Sequence, residues 1–128
     1  MDIGIKRVYE PANKADGTRV LVDRLWPRGI SKQKAQLDQW LKDVAPSSEL
    51  RIWFGHKAEN FLEFSKLYYA ELDTDPVKQS AVLHLLEVSR ADYLTLVYGA
   101  KSETINHAAI LQQYLLERQC SRENKEVF

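Results

Sequence analysis

The stretch RVLVDRLW, residues 19–26, carries the strongest signal for the fold. Val20, Val22 and the neighbouring leucines are typical of a strand buried in a sheet, because branched apolar side chains pack well on a pleated surface. Gly17 and Pro27 bound the segment on either side. The stretch therefore predicts a buried strand, and a loop that begins Trp-Pro-Arg-Gly follows it.

Strand and helix patterns alternate outward from this segment. Residues 3–10 alternate apolar and polar side chains, and residues 93–99 form a short apolar run that ends in glycine, so both segments are predicted strands. Apolar residues at helical spacing predict three long helices, at residues 58–72, 75–91 and 106–119, and Asp75 is a possible N-cap for the second. This order of elements predicts an α/β domain with helices packed on a small, mainly parallel sheet.

Three shorter segments carry local signals. Ser31 could open a short helix, and Ser47 is a natural N-cap for a helix that ends near Gly55. Residues 37–46 fit either a helix that continues from Ser31 or a strand. We favour the strand, because the following residues then form a strand-to-helix junction. Residues 11–18 are few for a parallel crossover, so a hairpin is possible there.

Length and composition fit one domain. The chain has 128 residues, of which 45% are hydrophobic and 28% charged, an ordinary globular balance. We expect a single α/β domain over residues 1–119 and a flexible tail over residues 120–128. A single cysteine excludes an intrachain disulfide, and no apolar run is long enough to span a bilayer. A cytoplasmic protein without membrane partners is the default expectation.

The charge is balanced overall but uneven along the chain. The formal net charge is +0, so no global field recruits DNA or membranes. Residues 1–34 carry eight Lys or Arg against four Asp or Glu, and the remaining residues carry the compensating acidic excess. A basic N-terminal third suits an anionic partner, although surface charge in a short chain often falls unevenly.

The ends of the predicted strands point to a ligand site. Ligands of open α/β sheets bind outside the carboxyl ends of the strands. If the strands are parallel, Arg28, Ser47 and Lys101 meet at one edge of the sheet, called here the rim. Arg28 offers a planar fork of donors that suits phosphate or carboxylate. The alternative is that Arg28 pairs with a local carboxylate, Asp23 or Asp43.

Residues around Arg28 would complete an anion site. Gly29 would let the backbone approach a ligand, and N–H groups near Ser31 would add a favourable dipole. Trp26 is the tryptophan placed best to stack on a base, although such residues usually serve the core. Asp23 lies in an apolar strand. The simpler interpretation is that its carboxylate pairs with a neighbouring strand residue or an arginine, and the alternative is that its pKa is raised and it acts as a general acid.

Histidines and a lysine supply the candidates for catalysis. His107 and Asn106 begin the last helix near the rim, where the imidazole could move a proton and the amide could orient a ligand. The alternative is a capping or core role. Lys101 could neutralise a phosphate or act as a nucleophile. His56 follows a helix C-terminus, which by itself favours a positive imidazole. No local metal motif links the histidines, and no cofactor is indicated.

Three motifs in order carry a resemblance to a known family. They are RVLVDRLWPRGISK, LDQWLKDVAPSSELRIWFGH and LTLVYGAKSETINHAAILQQYL. They resemble the YeaO-like proteins of the domain of unknown function 488 family, over residues 5–116. The resemblance implies a small bacterial or archaeal protein with a Rossmann-like, three-layer α/β fold and parallel strands, but no function. Some members carry Cys-His-Arg where this chain has Asn106-His107-Ala108, so only the histidine is carried over.

Three functions are compatible with the sequence. The first is binding of a small anionic ligand at the rim, such as a nucleotide or phosphorylated metabolite, either with or without catalysis. The second is nucleic-acid binding by the basic N-terminal third, with Trp26 stacking on a base. The third is an interaction module without small-molecule chemistry, which could form a homo-oligomer. We rank the first ahead and expect no helix-turn-helix, because helices and strands are interleaved.

Overall fold

Four parallel strands form the centre of the molecule. The computed structural model describes the backbone of residues 3–126 and the side chains of residues 3–119. The sheet has the order β1-β4-β2-β3, and every neighbouring pair is parallel. The strands are β1 (Ile3–Arg7), β2 (Thr18–Leu21), β3 (Gln39–Trp40) and β4 (Leu94–Tyr98). The α/β class and the parallel sheet are thus confirmed.

The hairpin considered for residues 11–18 is wrong. β4 lies between β1 and β2 and pairs with both, so Ile5 and Val20 are each opposite Leu96. A connection that passes over one intervening strand leaves β1 and β2 parallel. It holds a short 3-10 turn, Lys14–Asp16, with Asn13 as its cap.

β2 ends earlier than the apolar run suggests. Its ladder stops at Leu21, with one more backbone hydrogen bond from the Val22 N–H to the Val97 carbonyl. Beyond that point the partner strands also end, so Asp23 and the residues after it have no ladder to join. The Trp40 indole N–H donates to the Asp23 carbonyl at 2.7 Å instead. The chain therefore turns away from the sheet and becomes the wall of a cavity.

The ambiguous segment, residues 37–46, holds a short strand, and the helix that begins after Ser31 does not continue into it but ends at Ala35. Two residues, Gln39–Trp40, form β3 beside β2, and a 3-10 turn follows at Lys42–Val44. The preference for a strand is confirmed for β3 alone. The strand is short because β2 itself offers few backbone groups for pairing.

Five α-helices follow or separate the strands. They are α1 (Lys32–Ala35), α2 (Ser48–Phe54), α3 (Phe61–Thr74), α4 (Pro76–Ala91) and α5 (His107–Glu126). The caps predicted from sequence are confirmed: the Ser47 hydroxyl accepts the Leu50 N–H, and Gly55 ends α2 in a left-handed conformation. Asp75 caps α4 in the same way through the Val77 N–H. A 3-10 turn at Ala58–Asn60 precedes α3.

The two faces of the sheet are covered unequally, which gives a three-layer arrangement. Val20, Leu94 and Leu96 belong to a large core with the long helices. Leu21 and Val97 point to the other face and pack with Val8 and Ala35 in a small cluster beneath the α1 segment. This alternation follows from the two-residue period of a strand.

The predicted tail falls largely outside the described residues. The backbone of α5 is helical to Glu126, while side chains from residue 120 onward and the last two residues are not described. The flexible tail over residues 120–128 stays a prediction. Among the described helices, none combines the length and apolar character that a bilayer span requires.

A buried ion pair fastens the lightly covered face. The Asp16 carboxylate accepts hydrogen bonds from Arg19, at 2.7 Å, and from Lys6 and the Asn13 N–H. The Arg19 guanidinium also donates to the Ala35 carbonyl. Burial opposes ionisation of Asp16, but the Asn13, Lys6 and Arg19 contacts outweigh it and hold the pKa of this carboxyl below its ordinary value. The pair links the connection after β1 to β2 and α1.

We expect Asp16→Asn to lower the free energy of unfolding by about 3 kcal/mol at neutral pH, because it leaves the Arg19 guanidinium buried without its counter-ion. Since the pKa of Asp16 is depressed on folding, its contribution exists above the unfolded pKa and is lost as pH falls through the folded value. Urea unfolding across acidic pH measures this loss. Asp43→Asn, at an exposed carboxylate, is the matched control. A deficit that stays constant down to strongly acidic pH would contradict the assignment.

Candidate functional site

A cavity opens where β2 and β4 end. It has a volume of about 320 Å³, near the lower end of the range for small-molecule sites. Its wall comes from segments far apart in sequence: residues 9, 23–28, 45–46, 51, 54, 56, 64, 99–100 and 106–107. The polar members of this wall are Tyr9, Asp23, Arg24, Arg28, Arg51, His56, Asn106 and His107. The cavity lies at the carboxyl edge of the parallel sheet.

Asp23 is fixed at the base of the cavity by the adjoining strand. Its Oδ2 accepts the Gly99 N–H at 2.9 Å, directly after β4 ends. A Cβ added to Gly99 would lie 3.1 Å from that oxygen and 3.5 Å from the Pro27 Cβ. The other oxygen, Oδ1, is buried and accepts no hydrogen bond from any described residue. One half of the carboxylate is therefore held, and the other half lacks a donor.

His107 stands beside this carboxylate. It is the first residue of α5, and its Nε2 lies 3.0 Å from the Val22 carbonyl and 3.3 Å from Asp23 Oδ1. A carbonyl oxygen only accepts, so Nε2 must carry a proton to bond with Val22. The Tyr68 ring packs edge-on to the imidazole at 6.3 Å between centroids. The other ring nitrogen, Nδ1, has no hydrogen-bond partner among the described residues.

The surroundings of Asp23 favour its neutral form. Burial raises the pKa of this carboxyl above its ordinary value, while the nearby His107, the Gly99 N–H and the more distant His56 oppose the rise. The side chains of Asp23 and His107 are 19% and 17% exposed. Asp23 can therefore take up a proton at a milder pH than a surface aspartate.

Three arginines line the same cavity, and none of them is in an ion pair with a described carboxylate. Arg24 donates to the Pro46 carbonyl at 3.3 Å and is half-buried. Arg28 and Arg51 are exposed. The alternative in which Arg28 pairs with Asp23 or Asp43 is absent from the described contacts. Counting His56 and His107, five basic side chains surround a single carboxylate.

Four of the predicted site residues line the cavity. Arg28 and His107 present groups that are free to bind. Trp26 lines it as well, but its N–H donates to the Ile30 carbonyl and its ring meets Trp40 edge-on. Asn106 is buried and caps α5, with its Oδ1 accepting the Ala109 N–H at 2.8 Å.

The other three predicted residues lie outside the cavity lining. The Ser47 hydroxyl caps α2 and donates to Glu71 at 2.6 Å. Gly29 has a φ of +73°, the left-handed conformation that favours glycine, and open space surrounds its Cα. Lys101 is exposed beyond the end of β4.

Sequence reasoning missed Arg24 and Arg51 as cavity residues and explained His56 by the end of a helix alone. Arg51 lies one helical turn after the Ser47 cap, and this spacing could have placed it at the rim. His56 has a φ of +58° directly after Gly55 at +55°. These two left-handed residues turn the chain back after α2, and no local pattern signals which side chain then faces the cavity.

A second depression, between α3 and α5, has a larger volume of about 570 Å³. Apolar and neutral polar side chains line it with one lysine: Phe61, Ser65, Lys66, Tyr69, Ala109, Ile110 and Gln113. It lacks the convergent charged groups of the first cavity. The chemistry of the molecule is therefore concentrated at the sheet edge.

Fold and site together define a small α/β protein with a cationic cavity at the carboxyl edge of a parallel sheet. A family model described as "Inactive DUF488-N3 subclade" matches residues 2–127, and the chain belongs to this family. The uncharacterized protein YeaO of Escherichia coli is 44% identical over 115 residues, covering 90% of this chain and 97% of that protein. The uncharacterized protein Rv3073c of Mycobacterium tuberculosis is 41% identical over 113 residues, covering 88% and 92%. No solved structure gives a significant match.

We expect the stability of Asp23→Asn relative to the natural protein to increase as pH rises from about 4 to neutral. The raised pKa of Asp23 means that folding favours the protonated form, so its contribution is present below the unfolded pKa and is lost as pH rises through the folded pKa. Urea unfolding of both proteins at matched pH values measures the difference. A difference that is flat with pH, or that grows in the opposite direction, would contradict the burial of this carboxyl.

Gly99→Ala should lower the free energy of unfolding by about 1–3 kcal/mol, because the new methyl group crowds Asp23 Oδ2. The loss should shrink in the Asp23→Ala background, where the crowded oxygen is absent. A double-mutant cycle by chemical denaturation measures this coupling. Additive effects of the two substitutions would show that the contact is unimportant.

Proposed function

We propose that this protein binds a small anionic ligand, such as a phosphorylated metabolite or a nucleotide, in the cavity at the carboxyl edge of the sheet. One observation carries the proposal: Arg24, Arg28 and Arg51 line one small cavity without a described carboxylate partner. Carboxylates do neutralise guanidinium groups elsewhere in the described chain, in the Arg19–Asp16 and Arg118–Asp73 pairs. Convergent unpaired cations in a concave site favour an anion.

The apolar part of the wall supports a small molecule with a carbon skeleton. Leu25, Pro46, Phe54 and Phe64 line the cavity beside the basic groups. An apolar lining with a few placed polar groups is the usual composition of a ligand pocket. The arginines would hold the charged group, and the apolar residues would contact the remainder of the ligand.

Binding without turnover is the simpler form of the proposal. The family is described as an inactive subclade, and this description favours a binding role. His107 would contact the ligand through Nδ1, since Nε2 already bonds with Val22. The catalytic roles predicted for His107 and Lys101 belong to the alternative form of the proposal, in which the ligand turns over. The binding roles predicted for Gly29, Ser47, Trp26 and Asn106 stay predictions.

Nucleic-acid binding is less favoured. Two of the basic side chains in the N-terminal third, Lys6 and Arg19, are already paired with Asp16. Arg24 and Arg28, also in this third, line a cavity of about 320 Å³, which suits a small molecule better than a polymer. A nucleic-acid ligand would also require stacking surfaces, and Trp26 already packs edge-on against Trp40.

A thermal-shift and calorimetric screen tests the proposal. The probes are inorganic phosphate, pyrophosphate, nucleoside monophosphates, sugar phosphates and a short single-stranded oligonucleotide. A ligand at about a hundred times its dissociation constant should stabilise the protein by roughly 2.7 kcal/mol. Arg28→Ala and Arg51→Ala should each weaken binding of a small anion about tenfold or more, through the loss of a charge-assisted hydrogen bond.

Arg118→Ala is the matched control, because it removes the same charge at a residue outside the cavity lining. It should leave affinity unchanged. Binding that is insensitive to Arg28 and Arg51, or equally sensitive to Arg118, would overturn the proposal. A response to the oligonucleotide alone, with steep salt dependence, would favour the nucleic-acid hypothesis. Phosphorus NMR of the bound probe over time would reveal turnover, which this proposal does not expect.

A further inference from the structure

The cavity contains a group that an anion site does not ordinarily need. Asp23 is a carboxylate among five basic side chains, and an anion that enters must lie near it. Two negative charges at close range in a partly buried site repel each other strongly. Asp23 therefore requires an explanation in terms of the ligand.

Asp23 cannot easily turn away from the cavity. The Gly99 N–H holds its Oδ2 at 2.9 Å, and the Trp40 indole holds its backbone carbonyl. Its Oδ1 is buried without a hydrogen-bond donor, and the nearest basic atom, His107 Nε2 at 3.3 Å, lies closer to the Val22 carbonyl. A buried acceptor without a donor is unfavourable, and a proton on the carboxyl group would remove the repulsion between Asp23 and a bound anion.

We propose that the cavity binds an oxyanion together with one proton, and that Asp23 is the residue that requires this proton. An oxyanion that brings its own hydroxyl, such as hydrogen phosphate, donates that proton to the Asp23 carboxylate. An oxyanion without one, such as sulfate, binds only when Asp23 is itself protonated and donates to the anion. Asp23 thus selects phosphate over sulfate as pH rises. This inference rests on the proposed anion-binding function.

The energetics of the carboxyl agree with this assignment. Burial raises the pKa of Asp23, so the empty site takes up a proton at a higher pH than a surface aspartate does. A phosphate monoester loses its last proton near neutral pH, with a second pKa of about 6. In acid it therefore still has a hydroxyl that can donate to Asp23, as hydrogen phosphate does, and above neutrality it has none, as in sulfate. The ligand class is therefore an oxyanion that retains a hydroxyl, with inorganic phosphate as the simplest member.

Other groups around the cavity also titrate or carry charge. His107 approaches from α5, His56 from the turn after α2, and Arg51 from α2 itself, while Arg24 and Arg28 follow β2. Tyr68 of α3 stays neutral, because burial raises the pKa of its hydroxyl well above the ordinary value. The histidines affect the binding of every anion alike. Only the difference between two anions of matched size isolates the proton at Asp23.

The experiment is isothermal titration calorimetry of the whole protein with inorganic phosphate and with sulfate, from about pH 8 to about pH 9.5, where phosphate has already lost its second proton and stays hydrogen phosphate throughout. Buffers of different ionisation enthalpy count the protons taken up. At the alkaline end, sulfate should bind with uptake of one more proton than hydrogen phosphate. The ratio of the two dissociation constants should then widen by about tenfold per pH unit in favour of phosphate.

Asp23→Asn should abolish this difference, because the amide donates a hydrogen bond without titrating. Sulfate affinity should rise in this variant at alkaline pH, and the two pH profiles should become parallel. Arg28→Ala should weaken both anions by the same factor and preserve their difference. This matched variant separates loss of an anion contact from loss of selection.

The outcomes distinguish the two proposals. If both anions bind the natural protein with parallel profiles and equal proton uptake, the role of Asp23 is overturned while anion binding stands. If the difference persists in Asp23→Asn, another group holds the proton and the assignment is again overturned. If neither phosphate nor sulfate binds and no larger anion in the screen does, the proposed function fails and this inference fails with it.

Discussion

The hydrogen bond from the Gly99 N–H to Asp23 Oδ2 joins the ends of β2 and β4, and the cavity depends on it. Parallel neighbouring strands end at the same edge of a sheet, so the residue after one strand can bond with the residue after the other. Here the bond holds a carboxylate at the base of a mostly basic cavity. It also sets the position of His107, since the imidazole reaches both Val22 and Asp23.

Two buried aspartates in one small domain show how local donors decide the behaviour of a carboxyl group. Asp16 has donors from Lys6, Arg19 and the Asn13 N–H, and these contacts lower its pKa despite burial. Asp23 has one amide donor and a histidine nearby, and burial prevails, so its pKa is raised. Asp16 therefore acts as a permanent charge that stabilises the fold. Asp23 is a carboxyl whose protonation can respond to its surroundings.

Local sequence patterns predicted the elements that depend on neighbouring residues. The Ser47 and Asp75 caps, the left-handed Gly55 and the buried strand at Val20 all follow from contacts within a few positions. The edge of the sheet could also be located, because strand ends in parallel α/β sheets meet at one side. That rule placed Arg28, Ser47 and Lys101 at one edge with His107 nearby, and of these Arg28 and His107 line the cavity.

The strand order and the choice of side chains that line the cavity depend on contacts between residues far apart in sequence, which no local pattern predicts. The hairpin was wrong because β4, which lies about seventy positions further along the chain, inserts between β1 and β2. The Ser47 hydroxyl caps α2 and donates to Glu71 on α3, whereas the side chain of Arg51, on α2, lines the cavity. The side chain that a helix presents to a site depends on how the helix packs, and packing involves the whole chain.

The wall of the cavity has a consequence for cooperativity. It is assembled from residues between Tyr9 and His107, and each of the four strands is followed by a segment that contributes to it. A molecule bound there would contact segments from both halves of the chain. It would therefore oppose global unfolding rather than local opening. Amide hydrogen exchange would then slow throughout the sheet, and a fragment that lacked either half of the chain would have no site at all.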